Sequence, residues 1–592
     1  MNTIIKTKEQ LAEALNYLYN APKIAYDTET TGIRWYNNRV FLHSFATLNR
    51  TFVVRTSTFG DEDLIPFLKA ILEKKDKIIV GQNLKFDRHH LKHTHGVDIN
   101  GEIRDTMLMS HLMDENSPTG LKPRSEKVLG IKPDEKDAVH NWLTENIGAN
   151  KDKWDFSLVP EHIMDPYAGN DPWLCMKLEQ HYWPSIQKEF KGVYDTDMKV
   201  FDILYRMERN GMPIDLGYMK QYQAILEERL MLVDKQIFTD FGGPFEIDSP
   251  MEVAEVLYRK MKLPVPVVYV KDPTGKKQHD STSDEYLSKI DHPVARGIQE
   301  HRSIAKMLST YVIPLQEMAV NGVIHPDFGL TRTRTGRFSC SDPNVQNITK
   351  DIELRRAFTV DPGEEMLFWD QSQIEMVGFA MYSRDPKMQE ALRRGDDLHT
   401  VTAQEVLAKK EVVKEERAMG KGTNFAMIYG VGKAKLASYL SGYVGRVVTD
   451  SEALQFKTKY LAAFPTVYSF QRLVMNTVQS YRQPWGNFVK NKFGRVRRID
   501  PSKAYTGVNH LIQGWAADMM KAAMVKIDEK YKPKWRQNIH DAIRIDMPSG
   551  DNTEFIRDVA KLITDFPDVG LPIKCTVERS RTNWAEVEDI KL

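Results

Sequence analysis

Residues 367–375 read Leu-Phe-Trp-Asp-Gln-Ser-Gln-Ile-Glu, and the fold turns on how they are read. The apolar run from Met366 to Trp369 is short enough for a buried strand. It delivers a carboxylate, Asp370, at its end, and a second acid, Glu375, follows. An aspartate so placed either caps the next helix or holds a cation rigidly. A distant stretch bears on the choice. Asn538–Asp546 reads Asn-Ile-His-Asp-Ala-Ile-Arg-Ile-Asp and sets His540 and Asp541 between alternating apolar residues, the pattern of a half-buried hairpin. Asp370 and Asp541 on neighbouring strands can hold two divalent ions ~3.5–4 Å apart, an arrangement suited to phosphoryl transfer.

Working outward, the segment before Asp370 carries Thr-Arg-Thr-Arg-Thr-Gly-Arg (331–337) and then an Asp-Pro-Asn turn. Arg337, Gln346 and Asn347 are candidates for contacts to phosphates or base edges. After Asp370, the stretch 417–430 sets Arg417, Lys421, Phe425 and Tyr429 every fourth residue. On a helix this makes one slowly drifting face of two cations and two rings, which can grip a triphosphate and stack on a base. A core stripe would not put Arg and Lys in line with the rings. Further on, Asn509 and Gln513 are expected on one helical face with Asp518 and Lys521, and Gly514, Ala516 and Ala517 permit close packing.

The first third offers a separate carboxylate set. Ile24–Thr30 reads as a strand in which Asp27 and Glu29, two apart, leave one face. The strand Ile78–Val80 leads to Asp87, while Asp105 reads as a helix cap. Tyr167 and Asp171 are four apart, on one face if helical. Asp27, Glu29, Asp87 and Asp171 suit a two-metal hydrolytic site, with Tyr167 orienting the attacking water. The competing reading of Asp171 is an N-cap before Pro172, and that proline puts the pose of the last ligand in question. The segment 114–160, rich in charge, Pro and Asn, reads as a surface excursion.

Between the two sets, residues 191–330 lose the strand pattern. A long amphipathic helix is expected over Tyr218–Phe238, and Ile304, Met307, Leu308, Tyr311, Val312 and Leu315 form a core stripe. Lys271–Lys277 reads as a polar turn.

A chain of 592 residues is too long for one core, and three or four domains are expected. The net charge of +1 gives no global sign of a nucleic-acid partner. Two local clusters do, Arg417/Lys421/Lys433/Lys435 and Lys490/Lys492/Arg495/Arg497/Arg498, which read as phosphate footprints. Three scattered cysteines suggest neither a disulfide framework nor a zinc site and fit a reducing compartment. No signal-peptide core and no apolar run of ~20 residues is present, so the expectation is a cytoplasmic protein without a membrane partner.

The motifs Asp27-x-Glu29, Asn83-x-x-x-Asp87 and Tyr167-x-x-x-Asp171 resemble the DEDDy 3′–5′ exonuclease family over about residues 1–190. The ordered set T-x-T-G-R, D-P-N-x-Q-N-I, D-x-S-Q-I-E, R-x-x-x-K-x-x-x-F-x-x-x-Y-G, Q-G-x-A-A-D and H-D resembles family A DNA polymerases, of the DNA polymerase I and phage replicative kind. The resemblance implies a mixed α/β chain: an RNase H-like exonuclease domain (1–190), then a right hand. The hand divides into a mainly helical thumb (191–330), palm (331–375 and 506–592) and fingers (376–505). No 5′-nuclease domain is expected, and a phage-encoded chain would work in the host cytoplasm.

It also implies DNA-templated synthesis with proofreading, two Mg²⁺ per active site with Mn²⁺ as an alternative, primer-template DNA and deoxynucleoside triphosphates as partners, other replication proteins, and a monomer. Asp370 and Asp541 would bind the metals, Arg417 and Lys421 the triphosphate, and His540 the primer end. Phe425 would meet the sugar, Tyr429 the templating base, and Glu375 the 2′ position. Gln513, Asn509 and Arg337 would face the minor groove or primer.

Two positions depart from the pattern: Gln371 stands for an aromatic, and Ala542 for the Glu after His-Asp. Gln371 or Asp546 is the expected compensation for the latter. The alternatives are an exonuclease whose second half only binds nucleic acid, which Ala542 suggests, and a single-subunit RNA polymerase, against which Glu375 and the proofreading motifs argue.

Overall fold

The computed structural model describes residues 2–132, 135–150, 154–265, 280–444, 446 and 448–592. The Lys271–Lys277 turn lies outside them.

The first sheet has six strands: β1 (Asn2–Ile5), β2 (Lys23–Thr30), β3 (Val40–Ala46), β4 (Thr51–Arg55), β5 (Ile78–Gly81) and β6 (Glu102–Asp105), in the order β1-β4-β3-β2-β5-β6. The strands β2, β3 and β4 pair antiparallel, and the rest pair parallel. Near-continuous burial of Ile24–Tyr26 and of Phe52–Val54 shows a sheet covered on both faces. Three helices bring side chains to its edge: α1 (Leu84–His95), α2 (Leu121–Leu129) and α3 (Glu161–Ser185). Asp105 caps the helix that follows β6, as the sequence indicates, accepting from the amides of Met107 (2.9 Å) and Leu108 (3.0 Å).

The helix α4 (Lys191–Asn210) lies between this sheet and the second one. Its buried residues Val200, Leu204 and Met207 join one continuous core that runs from Ile5 to Trp584. Next come α5 (Leu216–Phe241) and an arm with a small core of its own around Ile237, Val253 and Ile298. In the 304–315 stripe Ile304, Leu308, Val312 and Leu315 are buried, as core residues should be. The loss of strands over 191–330 is not complete. Met212–Pro213 pairs with Val323–Ile324, and Asp327–Gly329 pairs with Ser339–Ser341, tying the base of the arm.

The second sheet is β7 (Glu364–Ser372), β8 (Lys534–Ile539), β9 (Ala542–Pro548), β10 (Lys574–Ser580) and β11 (Glu588–Ile590), antiparallel in the order β8-β9-β7-β10-β11. Between β7 and β8 the chain forms α6 (Ile374–Ser383), α7 (Leu398–Leu407), α8 (Lys414–Tyr429) and the long α9 (Gly507–Tyr531) around a second core. The helix α10 (Thr553–Thr564) backs the sheet. No described helix is long and apolar enough to cross a membrane.

Candidate active sites

At the second sheet, β7 carries Asp370 as the sequence suggests, but runs on past it to Ser372. The register sets Asp370 opposite Ala542, and the amide of Gln371 donates to the carbonyl of Asp541 at 3.0 Å. His540 and Asp541 form the turn between β8 and β9. His540 adopts φ 57°, an uncommon conformation for a residue with a side chain. Asn538 braces that turn through the carbonyls of His540 and Ala542, and Gln346 donates to the Asn538 carbonyl at 3.2 Å. Gln346, read as a nucleic-acid contact, is thus a brace for the hairpin. Burial, Asp541 and Glu578 together push the Asp370 carboxyl up to about 7, and burial also raises Asp541. Glu578 was not singled out from the sequence. It lies on β10 opposite Phe368, on the face that carries Asp370.

The helix α8 turns Gly420, Asn424, Met427 and Ile428 inward, which leaves Arg417, Lys421, Phe425 and Tyr429 along the open side. The Phe425 and Tyr429 rings stack at 5.9 Å, and the Lys421 ammonium lies 5.9 Å from the Phe425 centroid. His399 of α7 joins them, 5.9 Å from Phe425, with its imidazole pushed down to about 4 chiefly by burial. It too escaped the sequence reading, although the helix-start aspartate two residues before it was a usable signal. That residue, Asp397, accepts from Arg417 (2.7 Å) and Gln373 (2.9 Å). Glu375 pairs with Arg337, and Gln513 lies beside Tyr429. Asn509 and Gln513 are half-buried on α9 near this cleft.

Four expectations need correction. Gln371 is buried on the far face of β7 and donates to the Ile563 carbonyl at 2.8 Å, so it does not reach the aspartates. Asp546 is buried between Arg536 (2.9 Å) and Arg544 (2.8 Å). Neither replaces a carboxylate at Ala542. Asp518 and Lys521 do not share a face with Asn509 and Gln513, because a helix turns by 100° per residue. They are buried instead with Asp197 and Arg495. The 490–498 cluster is open only at Lys490 and Lys492, and its three arginines are not a phosphate footprint. Arg495 is consumed by Asp197 and Asp518, and Arg497 and Arg498 by Glu115 at 2.8 and 2.6 Å. These pairs stitch the first third of the chain to the rest.

At the first sheet, β2 presents Asp27 and Glu29 on one face, and Thr28 between them anchors Asp87. The Asp87 carboxylate accepts from the Thr28 amide (2.9 Å) and hydroxyl (2.6 Å). Thr28 was invisible as a functional residue because a strand threonine is ordinary. The helix α3 runs through Pro172 without a break, so Tyr167 and Asp171 do share a face, and Asp171 is not an N-cap. Burial pushes Asp27 up to about 7, and burial with the charge of Asp27 raises Glu29 and Asp87. Burial and the acids keep Tyr167 protonated. The 114–160 segment is more than a surface excursion. It supplies Glu115 to the seam, and Lys122 of α2 pairs with Asp171.

Among the described residues, no three histidine, cysteine or carboxylate side chains gather closely enough to ligate a metal as they stand. The donors still fit hard divalent cations: they are all oxygen, and their raised proton affinities mark uncompensated negative charge.

Residues 216–586 match the family described as DNA polymerase family A, and residues 2–187 match 3′-5′ exonuclease. The chain belongs to DNA polymerase family A. It is 26% identical to DNA polymerase I of Borreliella burgdorferi over 98% of this chain and 64% of that one. It is 29% identical to DNA polymerase I of Pseudomonas aeruginosa over 87% and 58%, and 28% identical to that of Aquifex aeolicus over 89% and 88%. The chain thus spans less than two thirds of the length of the first two relatives. The fold matches a solved structure, the POL domain of Pol1 from M. smegmatis in complex with DNA primer-template and dNTP. The TM-score is 0.80 at 22% identity, covering 99% of both chains.

Proposed function

We propose that this family A chain is a DNA-templated DNA polymerase with a 3′–5′ proofreading exonuclease. The observation that carries the reading is the placement of Asp370 beside Asp541 where β7 meets the β8–β9 turn, together with Arg417, Lys421, Phe425 and Tyr429 along the open side of α8. The second half of a nuclease kept only for binding would have no need of that placement. The M. smegmatis relative holds DNA primer-template and dNTP, which are the substrates proposed here.

In this reading residues 331–375 and 506–592 are palm, 376–505 fingers and 191–330 mainly thumb. Asp370 and Asp541 hold two divalent ions, Mg²⁺ with Mn²⁺ as an alternative, which supply charge at the 3′-oxygen and the α-phosphate when bound. Arg417 and Lys421 take the triphosphate, with His399 beside them. For Arg417 this means leaving Asp397, so the ion pair is a resting position. Phe425 meets the sugar, Tyr429 the templating base, His540 the primer end and Glu375 the 2′ position. Gln513, Asn509 and Arg337 face the primer and minor groove. In the exonuclease, Asp27, Glu29, Asp87 and Asp171 hold the metals and Tyr167 orients the water. The protein works as a cytoplasmic monomer alongside other replication proteins.

The test is extension of a primer on a DNA template, with deoxy- and ribonucleotides compared, and trimming of a mismatched 3′ end. Extension with deoxynucleotides and preferential trimming of the mismatch are expected. A pure chain that trims without extending in either Mg²⁺ or Mn²⁺ would overturn the polymerase reading.

A further inference from the structure

The exonuclease site already contains a cation of its own. Lys122, second residue of α2, is only 8% exposed. Its ammonium pairs with Asp171 and lies 4.6 Å from the Tyr167 ring centroid. Its charge also reaches Asp27 and Glu29 across the site. The helix α2 packs on α3, so Lys122 and Asp171 are brought together by the fold and not by a chance swing of a surface side chain.

We infer that Lys122 is a built-in cation that holds Asp171 until a DNA 3′ end arrives, so that the exonuclease metal shell closes only on substrate. The inference rests on the proofreading reading above. Its physical basis is competition for one carboxylate. A buried ammonium and a divalent ion cannot both satisfy Asp171 at full strength, because each requires the charge and lone pairs that the other uses.

Simple removal of Lys122 by metal alone would strand a buried ammonium, which is costly without a new partner. A strand end supplies that partner. Its backbone phosphate is an anion of the kind an ammonium binds as a point charge. The ring of Tyr167 offers a face for the cation during the exchange. Arrival of the phosphate therefore frees Asp171 at the moment the ion is needed. The alternative role is a purely structural ion pair between α2 and α3. The two differ in how metal affinity responds to DNA.

The experiment uses the full chain with Asp370→Asn and Asp541→Asn, so that only the exonuclease carboxylates report. Mn²⁺ binding is followed by electron paramagnetic resonance, with and without a single-stranded oligonucleotide whose 3′ end carries a phosphorothioate. The parent should bind Mn²⁺ weakly alone and more tightly with the oligonucleotide. Lys122→Met and Lys122→Gln should bind Mn²⁺ roughly 10-fold tighter without DNA and gain little more from it. Lys122→Arg should behave as the parent. Equal or weaker Mn²⁺ binding by folded Met and Gln variants without DNA would overturn the inference. So would a parent-like gain from the oligonucleotide in those variants. If one variant fails to fold, as judged by melting, the other decides. Degradation of single-stranded DNA by the unmodified chain is measured in parallel. Its absence would sink the proofreading reading, whereas normal degradation with unchanged Mn²⁺ affinities sinks only the latch.

Discussion

The amide of Gln371 donates to the carbonyl of Asp541 at 3.0 Å, one residue past Asp370 on β7 and at the turn between β8 and β9. This backbone bond fixes the separation of the two aspartates without using either side chain. Loss of one carboxylate should therefore leave the scaffold intact and remove only charge. Asp370→Asn or Asp541→Asn should abolish primer extension while duplex binding and 3′ trimming persist. Extension at a tenth of the normal rate or more by either variant would show that the metals are held elsewhere.

The raised Asp370 carboxyl has a pH consequence. Its folded value is about 7, above the unfolded 3.8, with burial the largest cause and Asp541 next. Between these values the native chain binds more protons than the unfolded chain. This group's contribution to metal-free stability is thus present at low pH and declines as pH rises through about 7. Protons and divalent ions compete for the same oxygens. Calorimetric metal affinity should rise from pH 5.5 to 7.5 and level off above, and Asp370→Asn should flatten the rise. A pH-independent affinity in the parent would contradict it.

Glu375 is held by Arg337 at the mouth of the cleft. If it excludes a 2′-hydroxyl by shape, a neutral residue of the same size should do as well. Glu375→Gln should keep most of the preference for deoxynucleotides, and Glu375→Ala should lose about ten- to hundredfold of it. Competition between a deoxynucleotide and its ribonucleotide measures the ratio. Equal loss in both variants would mean that charge, and not bulk, sets the preference.

How much of this was legible in the sequence depends on range. Period-two and period-four patterns placed β2, β7, the β8–β9 hairpin and the face of α8, because local geometry dictates which side chains coincide. What the patterns could not show is who fills a buried charge. The cluster from Lys490 to Arg498 looks open in sequence, yet Arg495 meets Asp197 nearly three hundred residues away. Lys122 reaches Asp171 from a segment with no motif spacing. Pro172 looked like a helix start because proline lacks an N–H, but the packing of α3 against the first sheet carries the helix through it.

Thr28 is one of the residues that only the structure could supply. Its hydroxyl and amide both donate to Asp87, which fixes one oxygen of that carboxylate at β2. Thr28→Val keeps the shape and the amide bond but deletes the hydroxyl. Stability should fall by about 1 kcal/mol, as for a single buried hydrogen bond. Single-strand degradation should drop by roughly 10–100-fold, the usual cost of releasing a metal ligand's support. Primer extension should not change, since the two carboxylate sets lie on separate sheets. A trimming rate equal to the parent's would mean that the Thr28 amide alone positions Asp87.

The last prediction concerns Ala542, which faces Asp370 directly in the β7–β9 register. A glutamate there would stand beside two aspartates whose proton affinities are already raised by burial and, for Asp370, by neighbouring acids. Added charge has opposing effects: it attracts a divalent ion, and it makes the metal-free site harder to ionise. Gln371 and Asp546 cannot have taken over the missing carboxylate, since both are committed to partners away from the cleft. Glu578 can act in its place. It lies on β10, diagonal to Asp370 on the opposite flank from Ala542, and its charge is already felt by Asp370. Mg²⁺ takes only one or two protein carboxylates and keeps several waters, so a third acid works by its field and not as an obligatory ligand. The unmodified chain should therefore extend primers in Mg²⁺. Glu578→Gln should weaken Mg²⁺ affinity and slow extension by about tenfold, as for loss of an outer-shell partner. Adding Ala542→Glu to Glu578→Gln should restore part of the loss, whereas Ala542→Glu alone should change the rate modestly and steepen its dependence on pH. Extension rates against Mg²⁺ concentration for the four proteins form the test. A Glu578→Gln chain with the parent's rate and Mg²⁺ requirement would show that two aspartates suffice and that the carboxylate on β10 is a bystander.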